Sequence, residues 1–328
     1  MMFKNISGAK ILVTGGAGFI GSNLTDFLLA QQAQVVVLDN FSTGKRENLI
    51  PAGKCENFTL IEGDIRDLEC CLQTAAGVDC IVHLAALGSV PRSIKDPATS
   101  VAVNVTGFVN ILAAAQQCGV KKVVYASSSS VYGDAPELPK VESRTGTPLS
   151  PYALTKAVDE LFAANFHRVY GLDTVGLRFF NVFGRRQDPH GAYAAVIPKF
   201  ASALLKHSSP VINGDGSFSR DFTYIDNVIQ AVCLAVDTGN PAAVNQTYNV
   251  ACGGRMTLNE LFEALRQNLA LFDPAISGVV PQYGATRAGD IPHSLADISK
   301  AEQLLGYKPE FSAVQGIAET AKWYFDNL

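Results

Sequence analysis

A β-branched run, Ile11-Leu12-Val13-Thr14, breaks into Gly15-Gly16-Ala17-Gly18-Phe19-Ile20-Gly21 and then into the helical stretch Gly21–Gln31. Three glycines at that spacing, with a strand before them and a helix after, leave few folds open. Gly15 permits a tight turn, Gly18 lets the backbone approach a pyrophosphate, and Gly21 lets the helix pack on the strand. The exposed N–H groups and the positive end of that helix favour phosphate. A second strand ends at Asp39, 18 residues past Gly21. A carboxylate there accepts from both ribose hydroxyls and repels a 2′-phosphate, which favours NAD over NADP. Lys45 and Arg46 lie nearby and leave that preference open. Asp64-Ile65, after the third strand, are placed to contact the adenine.

The same alternation continues for about the first 180 residues. Strands are expected at Lys10–Thr14, Gln34–Asp39, Phe58–Glu62, Cys80–Leu84, Lys122–Ala126 and Thr174–Arg178. Helical stretches such as Ala98–Cys118 and Pro151–Tyr170 separate them. Near-continuous apolar strands divided by helices imply a parallel sheet covered on both faces. The expected class is α/β, a doubly wound Rossmann-type sheet with its ligand crevice at the strands' carboxyl ends. Beyond Phe180 the regularity breaks, and Gly184–Gly191 and Ser208–Ser219 read as loops. Tyr224–Val236 and Thr247–Ala251 look like a helix and strand rejoining the sheet. Leu258–Leu271 and Ala313–Phe325 belong to a smaller C-terminal α/β cap. The expected division is 1–180 plus 224–251 for the dinucleotide, and 181–223 plus 252–328 for a second ligand.

Composition narrows the ligands. With 48% hydrophobic and 17% charged residues, the chain fits a globular protein with a sizeable core. The net charge is −4 and the basic residues are scattered, so no nucleic-acid surface is expected. An acidic chain that binds anions must concentrate a few Arg residues at one site. Met1–Gly8 lacks the apolar region of a signal peptide, and no apolar run approaches the ~20 residues of a membrane span. Seven cysteines without a CxxC pair suggest reduced thiols and a cytoplasmic protein. The five histidines have no ligand-like grouping, so no metal is expected.

The chemistry is concentrated in two segments. Strand Lys122–Ala126 ends in Ser127-Ser128-Ser129-Ser130-Val131-Tyr132-Gly133, and Ser150-Pro151-Tyr152-Ala153-Leu154-Thr155-Lys156 opens a helix. Tyr152 and Lys156, four apart, share one helix face. Free tyrosine titrates near ~10 and is a poor base at neutral pH. A neighbouring ammonium and a nicotinamide's positive charge stabilise the phenolate. With a seryl hydroxyl bridging to an alcohol, the trio suits removal of an alcohol proton while hydride leaves.

From the glycine loop to the C-terminus the chain resembles the extended short-chain dehydrogenase/reductase family. His83-Leu84-Ala85-Ala86, Ser127–Gly133, Ser150–Lys156, Leu177-Arg178-Phe179-Phe180-Asn181 and Arg287-Ala288-Gly289-Asp290 are similar to the sugar-nucleotide 4-epimerases within it. Gly88-Ser89-Val90-Pro91-Arg92-Ser93 and Gly184-Arg185-Arg186-Gln187-Asp188-Pro189 resemble the UDP-N-acetylglucosamine 4-epimerases of surface-polysaccharide pathways. The resemblance implies Ser128, Tyr152 and Lys156 as catalytic residues, although four consecutive serines leave that register open by one. It implies a tightly bound NAD held by Gly15, Gly18, Phe19, Ile20, Gly21, Asp39, Asn40, Ser42, Gly44, Asp64 and Ile65. Leu84, Ala85, Ala86, Asn104, Tyr152, Lys156, Phe179 and Val182 complete that set. Phe179 is a departure, since many relatives carry Tyr there.

For a UDP-sugar the resemblance implies Gly88, Ser89, Ser93, Ser127, Ser128, Tyr152, Asn181, Ala195, Val196, Phe200, Asn213, Arg220, Arg287, Asp290 and Ser294. Arg220 and Arg287 make sense as pyrophosphate clamps. Family dehydratases carry Asp-Glu where this chain has Ser129-Ser130, and decarboxylases carry Glu at the second position. Serine cannot replace an ionisable carboxyl in either role, which leaves epimerisation at C4. Ser294 stands where relatives restricted to plain hexoses carry Tyr, so a 2-acetamido sugar has room to turn. The alternatives are a UDP-N-acetyl-hexosaminuronic acid, with Arg92 or Arg185-Arg186 facing C6, the UDP-glucose/UDP-galactose pair, and a non-catalytic NAD-binding regulator. Relatives commonly form homodimers through two helices, here Ala98–Cys118 and Pro151–Tyr170.

Overall fold

The computed structural model describes residues 3–189, 194–286 and 292–328. Seven strands form one sheet: β1 (Lys10–Thr14), β2 (Gln34–Asp39), β3 (Phe58–Glu62), β4 (Cys80–His83), β5 (Lys122–Ser128), β6 (Asp173–Phe179) and β7 (Gln246–Val250). Their spatial order is β7-β6-β5-β4-β1-β2-β3, and every pairing is parallel. The first three strands have the expected bounds. β5 runs two residues further than expected, because Ser127 and Ser128 continue the ladder opposite Arg178 and Phe179. Tertiary pairing overrides the low strand preference of serine there.

Side chains alternate across the sheet, as a period of two demands. Ile11, Val13, Val35 and Val37 enter one buried cluster, and Leu12, Val36 and Leu38 enter the other. Helices α1 (Phe19–Ala30) and α6 (Ile225–Asp237) cover the first face. Helices α2 (Leu68–Ala75), α3 (Pro97–Gln117) and α4 (Pro151–Tyr170) cover the second. Strand order reverses between β1 and β4, so the turns after those two strands part there and open a crevice.

Two of these helices bear on function. α4 has the expected bounds: the Ser150 hydroxyl accepts from the Ala153 N–H, Pro151 occupies the first turn, and Gly171 ends it in the left-handed region at φ 72°. α3 corrects an expectation, since its 21 residues are long and apolar enough to cross a membrane. Phe108, Ile111, Leu112, Ala114 and Ala115 bury it instead against the sheet and α2. Its middle, Ala102–Thr106, is a π-helical turn that carries Asn104.

Past β6 the chain builds a smaller unit from short pieces. α5 (Val196–Leu205), α7 (Leu258–Ala270) and α8 (Ala313–Asn327) pack together, the last two opened by capping boxes at Thr257 and Ser312. Ser208–Ser219 is not wholly loop as expected, because Val211–Asn213 pairs with Gln282–Gly284. Its partner lies too far along the sequence for local turn signals to show it. α6 and β7 return to the large sheet, β7 pairing with β6.

The turn after β5 depends on one glycine. Gly133 sits at φ +51°, and a Cβ there would collide with the Thr147 carbonyl. Gly133→Ala is therefore expected to cost at least ~2 kcal/mol, read as a lower urea midpoint. An unchanged midpoint would show that the turn relaxes freely.

Candidate active site

The crevice at the switch point has a volume of about 990 Å³, open mouth included. Gly15, Gly18, Phe19, Ile20, Gly21, Asp39, Asn40, Ser42, Asp64, Ile65, Leu84, Ala85 and Ala86 line it, all expected from the sequence. Leu38, Thr43, Gly63, Leu87, Val103 and Ala126 also line it and were not expected. Gly15 lies at φ +71°, and a Cβ there would fall 2.7 Å from the Ala85 nitrogen. At Gly21 it would strike the Gly15 carbonyl. The turn after β1 therefore lies bare backbone against the start of α1, which is the cradle a pyrophosphate needs.

Asp39 lines the crevice where β2 ends. Its two carboxylate oxygens accept from the Ala17 N–H at 2.9 Å and the Phe41 N–H at 2.8 Å. Gly44 packs beside it, where a Cβ would sit 3.1 Å from the carboxylate. Lys45 pairs with Asp188 at 3.3 Å, and Arg46 pairs with Glu62 at 2.5 Å while stacking on Phe41. Each cation already has an acidic partner, so the Asp39 carboxylate sets the charge at this end of the crevice. Asp64 is held by Arg66 at 2.6 Å and Asn40 at 2.9 Å. The Arg66 side-chain hydrogen bond, foremost, keeps that carboxyl well below the usual range.

At the far end the crevice reaches Ala126 and Gly88. Lys156, 2% exposed, donates to the Ala126 carbonyl at 2.9 Å and to Asp159 at 3.2 Å. Tyr152 stands one turn earlier on α4, and its N–H donates to the Ser93 hydroxyl at 3.0 Å. Ser128 caps the short turn after β5, its hydroxyl accepting from the Ser130 N–H at 3.2 Å and the Ser130 hydroxyl at 2.9 Å. α4 packs against both β5 and that turn.

Several expected contacts are used otherwise. Ser127 points to the opposite face of β5 from Ser128 and donates to Glu160 at 2.5 Å, so it faces no substrate. Glu160 is also gripped by both arms of Arg178, at 2.8 and 2.7 Å, and Arg178 reaches the Tyr132 hydroxyl at 3.0 Å. Ser93 is fully buried between the Val90 carbonyl and Tyr152, so it positions the tyrosine instead of meeting a sugar. Asn104 is fully buried too, its amide bonded to Leu87 and Thr155, and it props the crevice wall from behind. Phe200 packs into the hydrophobic core. The sequence carried no signal for these partners, because each pairing spans 17 residues or more or depends on helix docking.

Most of the other expected site residues lie at the end of β6 or past it. Asn181 is held at φ 38° with its amide donating to the Asp221 carbonyl at 3.0 Å. Arg220 donates to the Ser219 and Pro292 carbonyls, and the Ser294 N–H donates to the Ser219 carbonyl at 3.0 Å. Arg220 and Ser294 therefore flank one short ladder. Asp221 beneath them accepts from the Cys252 N–H at 2.9 Å and the Ala296 N–H at 3.2 Å, and burial raises its pKa to about 6. Ala195 and Val196 open α5, and Asn213 pairs with Gly284. Phe179 ends β6, and Val182 pairs with Thr223. Ser89 caps the Val90–Lys95 helix beside Gly88. Arg287 and Asp290 lie outside the described residues.

The model of the NAD dependent epimerase/dehydratase family matches residues 11–251. The UDP-N-acetylglucosamine 4-epimerase of Methanobrevibacter ruminantium, solved with UDP-N-acetylmuramic acid, is 42% identical. The match covers 98% of this chain and 100% of that one, with a TM-score of 0.91. The UDP-glucose 4-epimerase of Mycolicibacterium smegmatis is 39% identical over 96% of this chain and 98% of its own. The UDP-glucose 4-epimerase of Thermus thermophilus, solved with NAD, is 33% identical over 97% and 100%, with a TM-score of 0.84.

Replacing Asp39 by Asn removes the charge but keeps the shape. The preference for NAD over NADP should then fall about tenfold or more, measured by competition for the protein stripped of cofactor. An unchanged ratio would move the discrimination elsewhere.

Proposed function

Because the chain belongs to the NAD dependent epimerase/dehydratase family, we propose that it is a UDP-sugar 4-epimerase acting on the UDP-GlcNAc/UDP-GalNAc pair. Its cofactor is NAD, and the bare Gly15–Gly21 turn with Asp39 fits a dinucleotide without a 2′-phosphate. When bound, NAD accepts hydride from a sugar carbon and returns it. Tyr152 removes the C4 hydroxyl proton, with Ser128 bridging phenol and alcohol. Lys156, anchored on the Ala126 carbonyl, supplies the positive charge that favours the phenolate. With NAD bound, the C4 alcohol would become a ketone while Tyr152 holds its proton, and the sugar would turn about its pyrophosphate linkage before the reverse transfer. Tyr152 then returns the proton to the new alkoxide.

One observation carries this reading over its siblings. The turn that presents Ser128 continues into Ser129 and Ser130, which offer no carboxyl to expel water. A reaction that ends where it began, one alcohol for another, needs none. The 181–223 and 252–328 segments then supply the nucleotide grip, with Arg220 as a pyrophosphate clamp.

The small, half-buried Ser294 beside the Arg220 ladder favours the acetylated pair. Against the uronic-acid reading, Arg185 pairs with Asp226 at 2.8 Å and Arg186 with Asp26 at 2.6 Å. A homodimer through α3 and α4 suits the exposed Val101, Leu154 and Leu161.

Purified protein without added NAD should interconvert UDP-GlcNAc and UDP-GalNAc, with less turnover of UDP-glucose and none of the uronate. Ser294→Tyr should abolish turnover of the acetylated pair while sparing UDP-galactose. Equal loss on both would refute the gate, and no turnover with NAD bound would favour a binding module.

A further inference from the structure

Beneath Tyr152 and Lys156, α4 presents a second charged side chain that the proposed reaction does not use. Asp159 is 1% exposed, and its Oδ2 lies 3.2 Å from the Lys156 ammonium. Among the described residues no protein donor reaches its Oδ1. A carboxylate so placed is not there to face solvent or substrate, because α4 and the sheet enclose it.

The groups around it leave few other charges to vary. On β4, His83 is fully buried, its pKa driven down to about 3 by burial and then by Lys156, so it is neutral. On β5, burial raises the Tyr125 phenol far above its ordinary value, so it too is neutral. Glu160 on α4 and Arg178 on β6 neutralise each other in a bidentate pair. Among the described residues, Lys156 and Asp159 form the buried ion pair that follows Tyr152 on α4, while Arg92 and Lys95 lie on the Val90–Lys95 helix packed against α4.

From this enclosure we infer that Asp159 is a positioning residue that fixes the Lys156 ammonium and opposes its charge, thereby setting the pH at which Tyr152 ionises. The inference rests on Tyr152 being the acid/base. An ammonium alone lowers a phenol's pKa, and a carboxylate beside the ammonium offsets part of that effect. Asp159 follows Tyr152 by seven residues, roughly 10 Å of helix rise. At an effective dielectric of ~20, a unit charge at that distance shifts a pKa by about one unit.

Asp159 also changes charge in the working range. Burial raises its carboxyl to about 6, against the opposing pull of Lys156. Below that pH the ammonium acts unopposed, and above it the carboxylate forms and restrains the phenol.

The test reads phenolate absorbance of the NAD-loaded protein from about pH 5 to about pH 10, taking the difference between the native chain and Tyr152→Phe. The same difference is taken in an Asp159→Asn background and, should that protein fold poorly, in Asp159→Ser. The expected result is ionisation of Tyr152 about one unit lower without the carboxylate. The acid limb of kcat/KM should move with it. A midpoint that stays or rises would overturn the inference, whatever happens to kcat. If the native chain shows no Tyr152 phenolate and Tyr152→Phe turns over normally, the acid/base assignment fails instead.

Discussion

No side chain fits between the turn after β1 and the backbone after β4. Gly15 holds a positive φ with Ala85 against the space a Cβ would take, and Gly21 presses on the Gly15 carbonyl. That close approach fixes where α1 starts, where β2 must deliver Asp39, and where the crevice opens. Each consequence is geometric before it is chemical. A dinucleotide laid across that backbone would have its ribose at Asp39 and its far end toward Ala126, where Lys156 is anchored.

The reactive end is built by holding things still. Ser93 fixes the backbone of Tyr152, Asn104 fixes Leu87 and Thr155, and the Ser127–Glu160–Arg178–Tyr132 chain fixes the turn that carries Ser128. Buried polar groups joined in this way confer rigidity where loose ones would cost stability. Arg178 without Glu160 would be an unpaired buried charge, so the two depend on each other. A site that takes a proton from its substrate and returns it would gain from such a fixed frame.

The sheet was legible in the sequence because strand, turn and helix signals are local. The runs at Lys10–Thr14 and Gln34–Asp39 and the Ser150–Pro151 start of α4 state their structure within a few residues. The crevice followed from them, since a doubly wound sheet puts it at one switch point. What stayed hidden was which hydroxyl or amide would be used by a distant partner. Ser127 and Ser128 look alike as letters, but strand alternation turns one toward Glu160 and leaves the other at the turn's cap. The burial of Phe200 and of the apolar helix Pro97–Gln117 was hidden for the same reason, because burial is decided by packing between elements.

The claim on which the rest depends is that one held cofactor takes hydride from C4 and gives it back to the same carbon. UDP-N-acetylglucosamine deuterated at C4, incubated with the protein in ordinary water beside an excess of free NAD, tests this directly. Mass spectrometry of the UDP-N-acetylgalactosamine formed should find the deuterium still at C4, with none in water or in the free pool. Loss of the label to either would contradict internal return, and with it the epimerase reading.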